Sequence, residues 1–358
     1  MLVPGLAPYD AVSNDTLGMT AALRAQGHEV AVFAPHWRDV AEDVQPHTAI
    51  GDWIRGEDDV VVYHYCIGWD FALDLFRRTK AQRVVRYHNI TPPEFFAGWS
   101  EGYVAACTAG RAEIDAYAAL GCELYLGCSP FNLEDFIGRG VDPARCAVLP
   151  PFHRIEELLA VTPDTRRIGN NADGAPELLM VGRIAPNKGD LALIDALTVI
   201  RRTSDPRTRL LRIGKLDPNL ERYGVAVREH THERGADAHV VAIDDATPGE
   251  LRAAYAAADA LVMLSAHEGF CVPLVEAMAL GTPIVAFGSS AIGWTVGDAG
   301  IVWSEPDPHL VATSIVRLHT DLMLREMLRE LGRARYRAVF APDALARTLE
   351  SAFARLAA

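Results

Sequence analysis

Short apolar runs alternate with stretches of helical spacing along the whole chain. Residues 17–26 (LGMTAALRAQ) place apolar side chains at helical spacing, Gly27 ends that helix, and HEVAVFA (28–34) follows as a strand. VVVYHY (60–65) and VVRYHN (84–89) predict buried strands on either side of a helix over 69–79. A helix over 109–120 leads to ELYLGCS (123–129), a short helix from Asn132 and the strand CAVLPP (146–151). The pattern then restarts. ELLMVGR (177–183), RLLRIG (209–214), HVVAI (239–243), ALVMLS (260–265), TPIVAF (282–287) and AGIVW (299–303) predict strands, separated by helices over 188–201, 217–234, 248–257 and 273–280. Helices over 307–318, 321–339 and 343–356 close the chain. Alternation of this kind predicts parallel sheets covered by helices on both faces.

The break lies at 152–175, where Pro163, Asn170, Asn171 and Gly174 interrupt the apolar period. The expected organisation is an N-terminal domain over 1–155 and a linker over 156–175. A C-terminal domain over 176–340 follows, then a final helix in 341–358 that crosses back to the first domain. Both domains are expected to be doubly wound and Rossmann-like, with a cleft at the carboxyl ends of their strands. The start is unusual, because only Met1-Leu2-Val3-Pro4-Gly5 precede the first loop and helix. Either the first strand is very short or the chain is truncated upstream, and the second is the expectation.

Composition narrows the function. The 358 residues are 50% hydrophobic and 23% charged, as in a globular protein, and the net charge is −13. Residues 1–150 carry 11 basic and 20 acidic side chains, and residues 151–358 carry 23 and 27. Neither half is built for a phosphate backbone, so nucleic acid is excluded as the expected partner. Arg77, Arg78, Lys80, Arg83 and Arg86 form one local basic cluster. It is a candidate peripheral contact with an anionic membrane, although a solvated helix end explains it more simply. The six cysteines form no CxxC pair and read as reduced core residues. No apolar run reaches 18 residues, so a cytoplasmic protein, peripheral at most on the inner membrane face, is expected.

The most specific string is HEGFCVPLVEAMALGTP (267–283). A strand delivers Glu268 onto a loop, and Gly269 lets the backbone turn so that its amides face outward. Pro273 suits a first helical turn, and the amides of that helix start favour an anion. Glu276 lies one turn further and can accept hydrogen bonds from a diol. Phosphates in the middle and hydroxyls at both ends describe a nucleotide-sugar.

The string resembles the EGF-x-x-P-x-x-E-A-M-x-x-G-x-P signature of the retaining GT-B glycosyltransferases of family 4. VGRIAPNKG (181–189) is similar to their G-R-x-x-x-x-K-G element, with further likeness in ELRAAYAAA (250–258) and GDAG (297–300). The resemblance covers essentially the whole chain and is weaker in the first half. It implies a GT-B fold and a hexosyltransferase. Such an enzyme moves a sugar with retention from a UDP- or GDP-sugar to a saccharide or lipid-linked acceptor, in polysaccharide or glycolipid synthesis. Arg183 and Lys188, beside Gly182, would clamp the diphosphate, where fixed cations stabilise the charge that develops on the leaving group. Glu276 would hold the ribose. Glu268 would face the sugar beside the amides of Gly269, Phe270 and Cys271. His88, at a strand end, matches the family histidine that contacts the donor sugar. Ser129 and Asn132 are candidates for acceptor or donor hydroxyls.

This chain departs from the family in its first loop. PYDAVSND (8–15) lacks the usual Gly-Gly pair, so Ser13 and Asn14 become candidates for the acceptor or phosphate contact. Near Gly293-Trp294-Thr295 a family Glu is missing, and Trp294 is a candidate lining residue. His230, His232 and His239 resemble a metal cluster only by proximity, and Asp244-Asp245 reads as a turn. No metal and no other cofactor is expected. A dinucleotide-dependent oxidoreductase predicts a GxGxxG that is absent. A non-catalytic nucleotide-sugar-binding subunit remains the alternative.

Overall fold

The computed structural model describes residues 1–8, 10–169 and 174–356. Tyr9 of the first loop and Asn170 and Asn171 of the expected linker lie outside the described residues. The chain forms two compact units. Unit 1 comprises Met1–Glu94, Tyr103–His153 and Phe340–Ala358, and unit 2 comprises Phe95–Gly102 and Arg154–Val339.

The strands of unit 1 are β1 (Val32–Ala34), β2 (Val44–Pro46), β3 (Val60–Tyr65), β4 (Gln82–Tyr87), β5 (Leu124–Gly127) and β6 (Cys146–Val148). β3 to β6 pair in chain order and in parallel, as do β1 and β2. The opening residues join the two sets. Leu2 bridges both Phe33 and Tyr63 in parallel, and its amide donates to Val62 O at 2.8 Å. The opening segment thus takes the place of a central strand, short as it is.

The helices are α1 (Ala11–Ala25), α2 (Ile50–Trp53), α3 (Asp70–Arg78), α4 (Glu101–Leu120) and α5 (Pro130–Ile137). α1 starts six residues before the apolar period suggests. Asp10 accepts a hydrogen bond from Ser13 N and supplies the cap.

Side-chain alternation gives the sheet of unit 1 two different faces. One carries Tyr63, Tyr65, Tyr87 and Tyr125, packed with Phe76, Tyr117 and Phe136. The other carries Val62, Val84, Leu124 and Leu126, packed with Met19, Leu23, Leu345 and Leu349. His64 and Arg86 are paired in register and share the parity of Val62 and Val84. Two polar side chains therefore enter the aliphatic face, and the next residue of that parity is His88.

The longer stretch of unit 2 opens with α6 (Ile155–Ala160), which falls almost wholly in the segment expected as linker. That segment packs on its own unit. Asp164 N donates to Gly249 O at 2.9 Å, and Arg167 pairs with Glu250 at 3.3 Å. The sheet holds β7 (Glu177–Val181), β8 (Arg209–Ile213), β9 (Val240–Ile243), β10 (Ala260–Met263), β11 (Ile284–Phe287) and β12 (Ile301–Trp303). Its order is β12-β11-β10-β7-β8-β9 and all pairs are parallel, so the chain reverses direction across the sheet between β9 and β10. Around it lie α7 (Asp190–Thr203), α8 (Glu221–Glu233), α9 (Pro248–Ala257), α10 (Val272–Leu280), α11 (Ile292–Val296), α12 (Pro308–Thr320) and α13 (Leu322–Arg335). A π-helical turn, Tyr336–Phe340, precedes α14 (Pro342–Phe353), which packs in unit 1 through Leu345, Leu349 and Ala352. No helix among the described residues is long and apolar enough to cross a membrane.

Close backbone approach fixes the end of β7. Gly214 has φ +136°, and a Cβ there would lie 1.9 Å from the carbonyl oxygen of Gly182. Gly214→Ala is expected to destabilise the protein by more than about 1 kcal/mol in urea unfolding. Gly51→Ala, where a Cβ meets no atom within 4 Å, serves as the near-neutral control. Equal midpoints for the two variants would contradict this picture of the β7 end.

Candidate active site

The loops after β7, β10 and β11 meet at the carboxyl ends of three adjacent parallel strands of unit 2. After β7 the chain runs Gly182-Arg183, then through a short turn, Pro186–Lys188, into α7. Gly189 makes the entry at φ +80°, where a Cβ would lie 2.3 Å from Leu264 O. Asn187 ties this loop to the next. Its Nδ2 donates to His267 O at 3.0 Å, and its carbonyl accepts from Ala266 N at 2.8 Å. Lys188 Nζ then reaches Glu268 Oε1 at 2.6 Å. The loop after β11 supports Glu268 from the other side, because Ser290 Oγ accepts from its amide at 2.8 Å.

Cys271 stands before α10 at φ +76°, a left-handed conformation that a side chain adopts only at a cost. No side chain caps α10, and Pro273 sits in its first turn. Glu276, one turn in, accepts from Tyr255 Oη at 2.6 Å through Oε2. Its Oε1 has no hydrogen-bond partner among the described residues. Burial raises the Glu276 pKa, and the tyrosine hydrogen bond opposes that shift. Thr282 holds the backbone of Tyr255 through a 2.7 Å bond to its carbonyl. Phe270 packs near Trp294 with ring centroids 6.4 Å apart, and its carbonyl accepts from Thr295 Oγ1 at 2.9 Å.

A buried ion pair sets the position of Gly182-Arg183. Arg212, on β8, donates through Nε to Asp190 of α7 at 2.7 Å and through Nη1 to Gly182 O at 2.6 Å. Arg183 itself is exposed just beyond. Phe95, from the short stretch of unit 2 before α4, packs its ring 5.8 Å from that of His267.

In unit 1 the polar side chains on the aliphatic face assemble around Asp15. Arg86 Nε donates to Asp15 Oδ2 at 2.8 Å and Nη2 to Oδ1 at 3.2 Å, with both side chains fully buried. Phe152 N adds 2.7 Å to Oδ1, and Arg86 Nη1 donates to Leu149 O at 2.6 Å. His64 Nδ1 lies 3.6 Å and His88 Nε2 3.5 Å from Asp15 Oδ2, and the two imidazoles are 3.1 Å apart. Burial raises the Asp15 pKa, but Arg86 and the histidines outweigh it and the net shift is downward. Burial lowers His88 to about 4 and holds His64 well below its ordinary value, so both rings are neutral at pH 7. Among the described residues, Asp15, His64 and His88 are the one group close enough to share a metal ion. The residues do not fit one, because the Arg86 guanidinium already occupies the cation position at Asp15.

The structure places the remaining sequence candidates. Ser129 and Asn132 do not face a ligand. Both are fully buried, Ser129 Oγ donates to Asn132 Oδ1 at 3.0 Å, and Asn132 Nδ2 donates to Tyr87 O at 3.2 Å. They anchor the strand end that carries His88. Ser13 is also buried, donating to Asp10 and accepting from Ala7 N, whereas Asn14 remains partly exposed. The basic cluster is broken up. Arg86 is buried on Asp15 and Arg83 pairs with Glu123, whereas Arg77, Arg78 and Lys80 stay exposed, with Arg77 paired to Asp74. His230, His232 and His239 bond separately to Asp195, Asp237 and Thr208 O, and Asp245 pairs with Arg167. The six cysteines form no disulfide among the described residues. Asp15, Arg86, Arg212 and Tyr255 were not singled out as site residues. An arginine inside an otherwise apolar strand was the available signal for Arg86 and Arg212.

The strand reversal, the strand-end loops and the uncapped α10 start define a doubly wound α/β domain whose helix start at the switch point favours an anion. Residues 161–335 match the model of the family described as "Glycosyl transferases group 1". A D-inositol 3-phosphate glycosyltransferase of Jonesia denitrificans is 29% identical over 380 residues, covering 91% of this chain and 87% of that protein. Against another of that name, from Corynebacterium urealyticum, identity is 33% but the chain spans only 44% of its length. Sucrose-phosphate synthase from Thermosynechococcus elongatus superposes over 99% of both chains with a TM-score of 0.76 at 20% identity. Anabaena HepE in complex with UDP-glucose gives 0.73 at 16% identity, again over 99% of both. The shared fold is GT-B, two Rossmann-like units.

The neutral histidines make a pH prediction. Their unfolded pKa is near 6.5 and the folded value of His88 is about 4. The stability that comes from a neutral ring is complete above 6.5 and is lost as pH falls through that window. Each such ring contributes a slope of up to about 1.4 kcal/mol per pH unit. Urea unfolding of wild type between pH 7 and 4.5 should show this decline, and His88→Gln should flatten it. Arg86→Met should cost about 3–5 kcal/mol at pH 7, because it leaves Asp15 buried without a cation. A slope unchanged in His88→Gln would show that the ring is not held neutral by the fold.

Proposed function

We propose that this chain is a retaining hexosyltransferase of the family 4 type that uses a nucleotide-diphosphate sugar, with UDP or GDP as the nucleotide. The observation that carries the proposal is the unit 2 constellation. Lys188 and Glu268 are brought into contact from two strand ends, beside the uncapped α10 start, with a partly unpartnered Glu276 carboxylate one turn further. Cation, helix amides and carboxylate follow in the order that diphosphate and ribose require. The UDP-glucose complex of a protein with the same fold supports a nucleotide-sugar as the ligand.

In this proposal the ribose hydroxyls donate to Glu276, whose other oxygen Tyr255 already orients. The diphosphate takes Lys188, Arg183 and the α10 amides, and Lys188 exchanges or shares Glu268 when it arrives. Glu268 is left to accept from sugar hydroxyls beside the backbone of Gly269, Phe270 and Cys271. His88, by the family resemblance, contacts the donor sugar as a neutral imidazole. The bond between the anomeric carbon and the β-phosphate oxygen breaks. The acceptor oxygen bonds to that carbon on the same face, and its proton passes to the departing phosphate. No metal is assigned to the diphosphate, since the two cations neutralise it. The acceptor is a saccharide, a polyol or a lipid-linked saccharide. The name of the relatives, D-inositol 3-phosphate glycosyltransferase, favours a hydroxylated ring.

Thermal-shift measurements with UDP, GDP and ADP test the donor class, because the tightest ligand raises Tm most at a given concentration. A UDP or GDP shift that disappears in Glu276→Ala is expected. Lys188→Ala should lower kcat/KM for transfer by about 10²–10³ while the fold is retained. Glu276→Ala with unchanged nucleotide affinity and full transfer would overturn the site assignment. Tight nucleotide-sugar binding without transfer or hydrolysis to any acceptor would favour a non-catalytic binding subunit instead.

A further inference from the structure

One stretch of unit 2 comes from the middle of the unit 1 sequence. Phe95–Gly102 belongs to unit 2, although the residues before and after it, Met1–Glu94 and Tyr103–His153, build unit 1. The ligand contacts assigned above use no residue of this stretch.

Its sequence makes it a stiff strap. Pro92 and Pro93 lead in with φ fixed by their rings, and Pro93–Phe96 form a short 3-10 turn. Trp99 N and Ser100 N then both donate to Phe96 O, at 3.0 and 3.1 Å, which closes a second turn. Gly98 takes φ +79° within it, a conformation that glycine adopts without steric cost. Phe96, between the two turns, is buried.

Two rings of the strap pack on different supports of the donor site. Phe95 lies 5.8 Å from His267, the residue before Glu268. Trp99 meets Tyr223 edge to face, with centroids 5.3 Å apart and planes at 79°. Tyr223 is buried in the first turn of α8, within electrostatic reach of Asp190 and Arg212, the ion pair that holds Gly182.

The sheet order tells what lies between these anchors. His267 follows β10, Tyr223 follows β8, and the order runs β10-β7-β8. The anchors therefore stand on either side of β7, two strand spacings or about 10 Å apart. Five residues in closed turns cover that distance, so the strap crosses the carboxyl end of β7, where Gly182, Arg183 and Lys188 leave the sheet. The β7 loop is tied to its neighbours by polar contacts. Ile184 N donates to Lys215 O at 3.0 Å on one side, and Lys188 meets Glu268 at 2.6 Å on the other. An arriving anion competes for Lys188, whereas it does not compete for ring packing. The strap thus keeps the loops in register when the Lys188–Glu268 pair opens.

We propose that Phe95 and Trp99 are positioning residues for the donor. Packed on both sides of the β7 end, they preset the loops that receive the nucleotide-sugar. A preset site loses less binding free energy to the ordering of its loops. This inference rests on the nucleotide-sugar proposal for unit 2 and adds the element that holds that site ready.

Hydrogen exchange of the full chain, with and without UDP, separates the two. In wild type, residues 182–189 and 264–270 should be protected before UDP arrives. In the double variant Phe95→Ala, Trp99→Ala they should exchange about tenfold or more faster without UDP and regain protection with it. UDP should bind that variant about tenfold more weakly, although Arg183 and Lys188 are intact. The pair Phe95→Leu, Trp99→Phe keeps apolar bulk at both anchors and should restore both properties. Unchanged loop exchange and UDP affinity in the alanine pair overturn the inference. So does faster exchange spread evenly over unit 2, β11 and β12 included, because the strap is then part of the core and positions nothing in particular. Failure of UDP to bind wild type overturns the donor proposal instead, and loop exchange without ligand still decides the role of the strap.

Discussion

In each unit a buried arginine on a strand fastens a helix and a strand-end loop at once. In unit 1, Arg86 holds Asp15 of α1 and the carbonyl of Leu149. In unit 2, Arg212 holds Asp190 of α7 and the carbonyl of Gly182. Burying a guanidinium costs several kcal/mol unless carboxylate and carbonyl acceptors meet it, so these groups are locked into one arrangement. A parallel sheet puts its loops at one edge without fixing them there. The arginines supply that fixation, next to His88 in one unit and next to Arg183 and Lys188 in the other.

The two sites use electrostatics differently. Around Asp15 the charge is closed, because one carboxylate, one guanidinium and two neutral imidazoles balance in a space where only His88 keeps slight exposure. In unit 2 the charge is only provisionally balanced. Lys188 and Glu268 pair at 2.6 Å where both remain partly accessible, and Glu276 keeps an unpartnered oxygen. A pair at that depth can open when an anion arrives, since the cation exchanges one oxygen ligand for others. Left-handed Cys271 shows the backbone held in a sparsely populated conformation at the same point.

Much of this was legible in the sequence because it is local. VVVYHY became β3 with its predicted boundaries, and the strand at ALVMLS, the loop and Pro273 delivered Glu268 and Glu276 as spacing indicates. What was not legible involves partners distant along the chain. Arg86 looked like one of five basic residues on a surface, and its partner Asp15 lies 71 residues away. Ser129 and Asn132 looked like ligand groups because they sit at a strand end, and only three-dimensional packing shows them bonded to each other. The short strand β2 and helix α6 were missed because three to six residues carry too little period to detect. The tie of residues 95–102 to unit 2 rests on ring contacts of Phe95 and Trp99 that no pattern encodes.

The claim at the centre of this picture is that unit 2 holds a nucleotide through Lys188 and Glu276. A crystal structure with UDP tests it most directly. The expected result is ribose hydroxyls on Glu276 and diphosphate oxygens on Lys188, with the Lys188–Glu268 contact opened or shared. UDP bound elsewhere in the chain, with Lys188 and Glu268 still paired and Glu276 untouched, would contradict it.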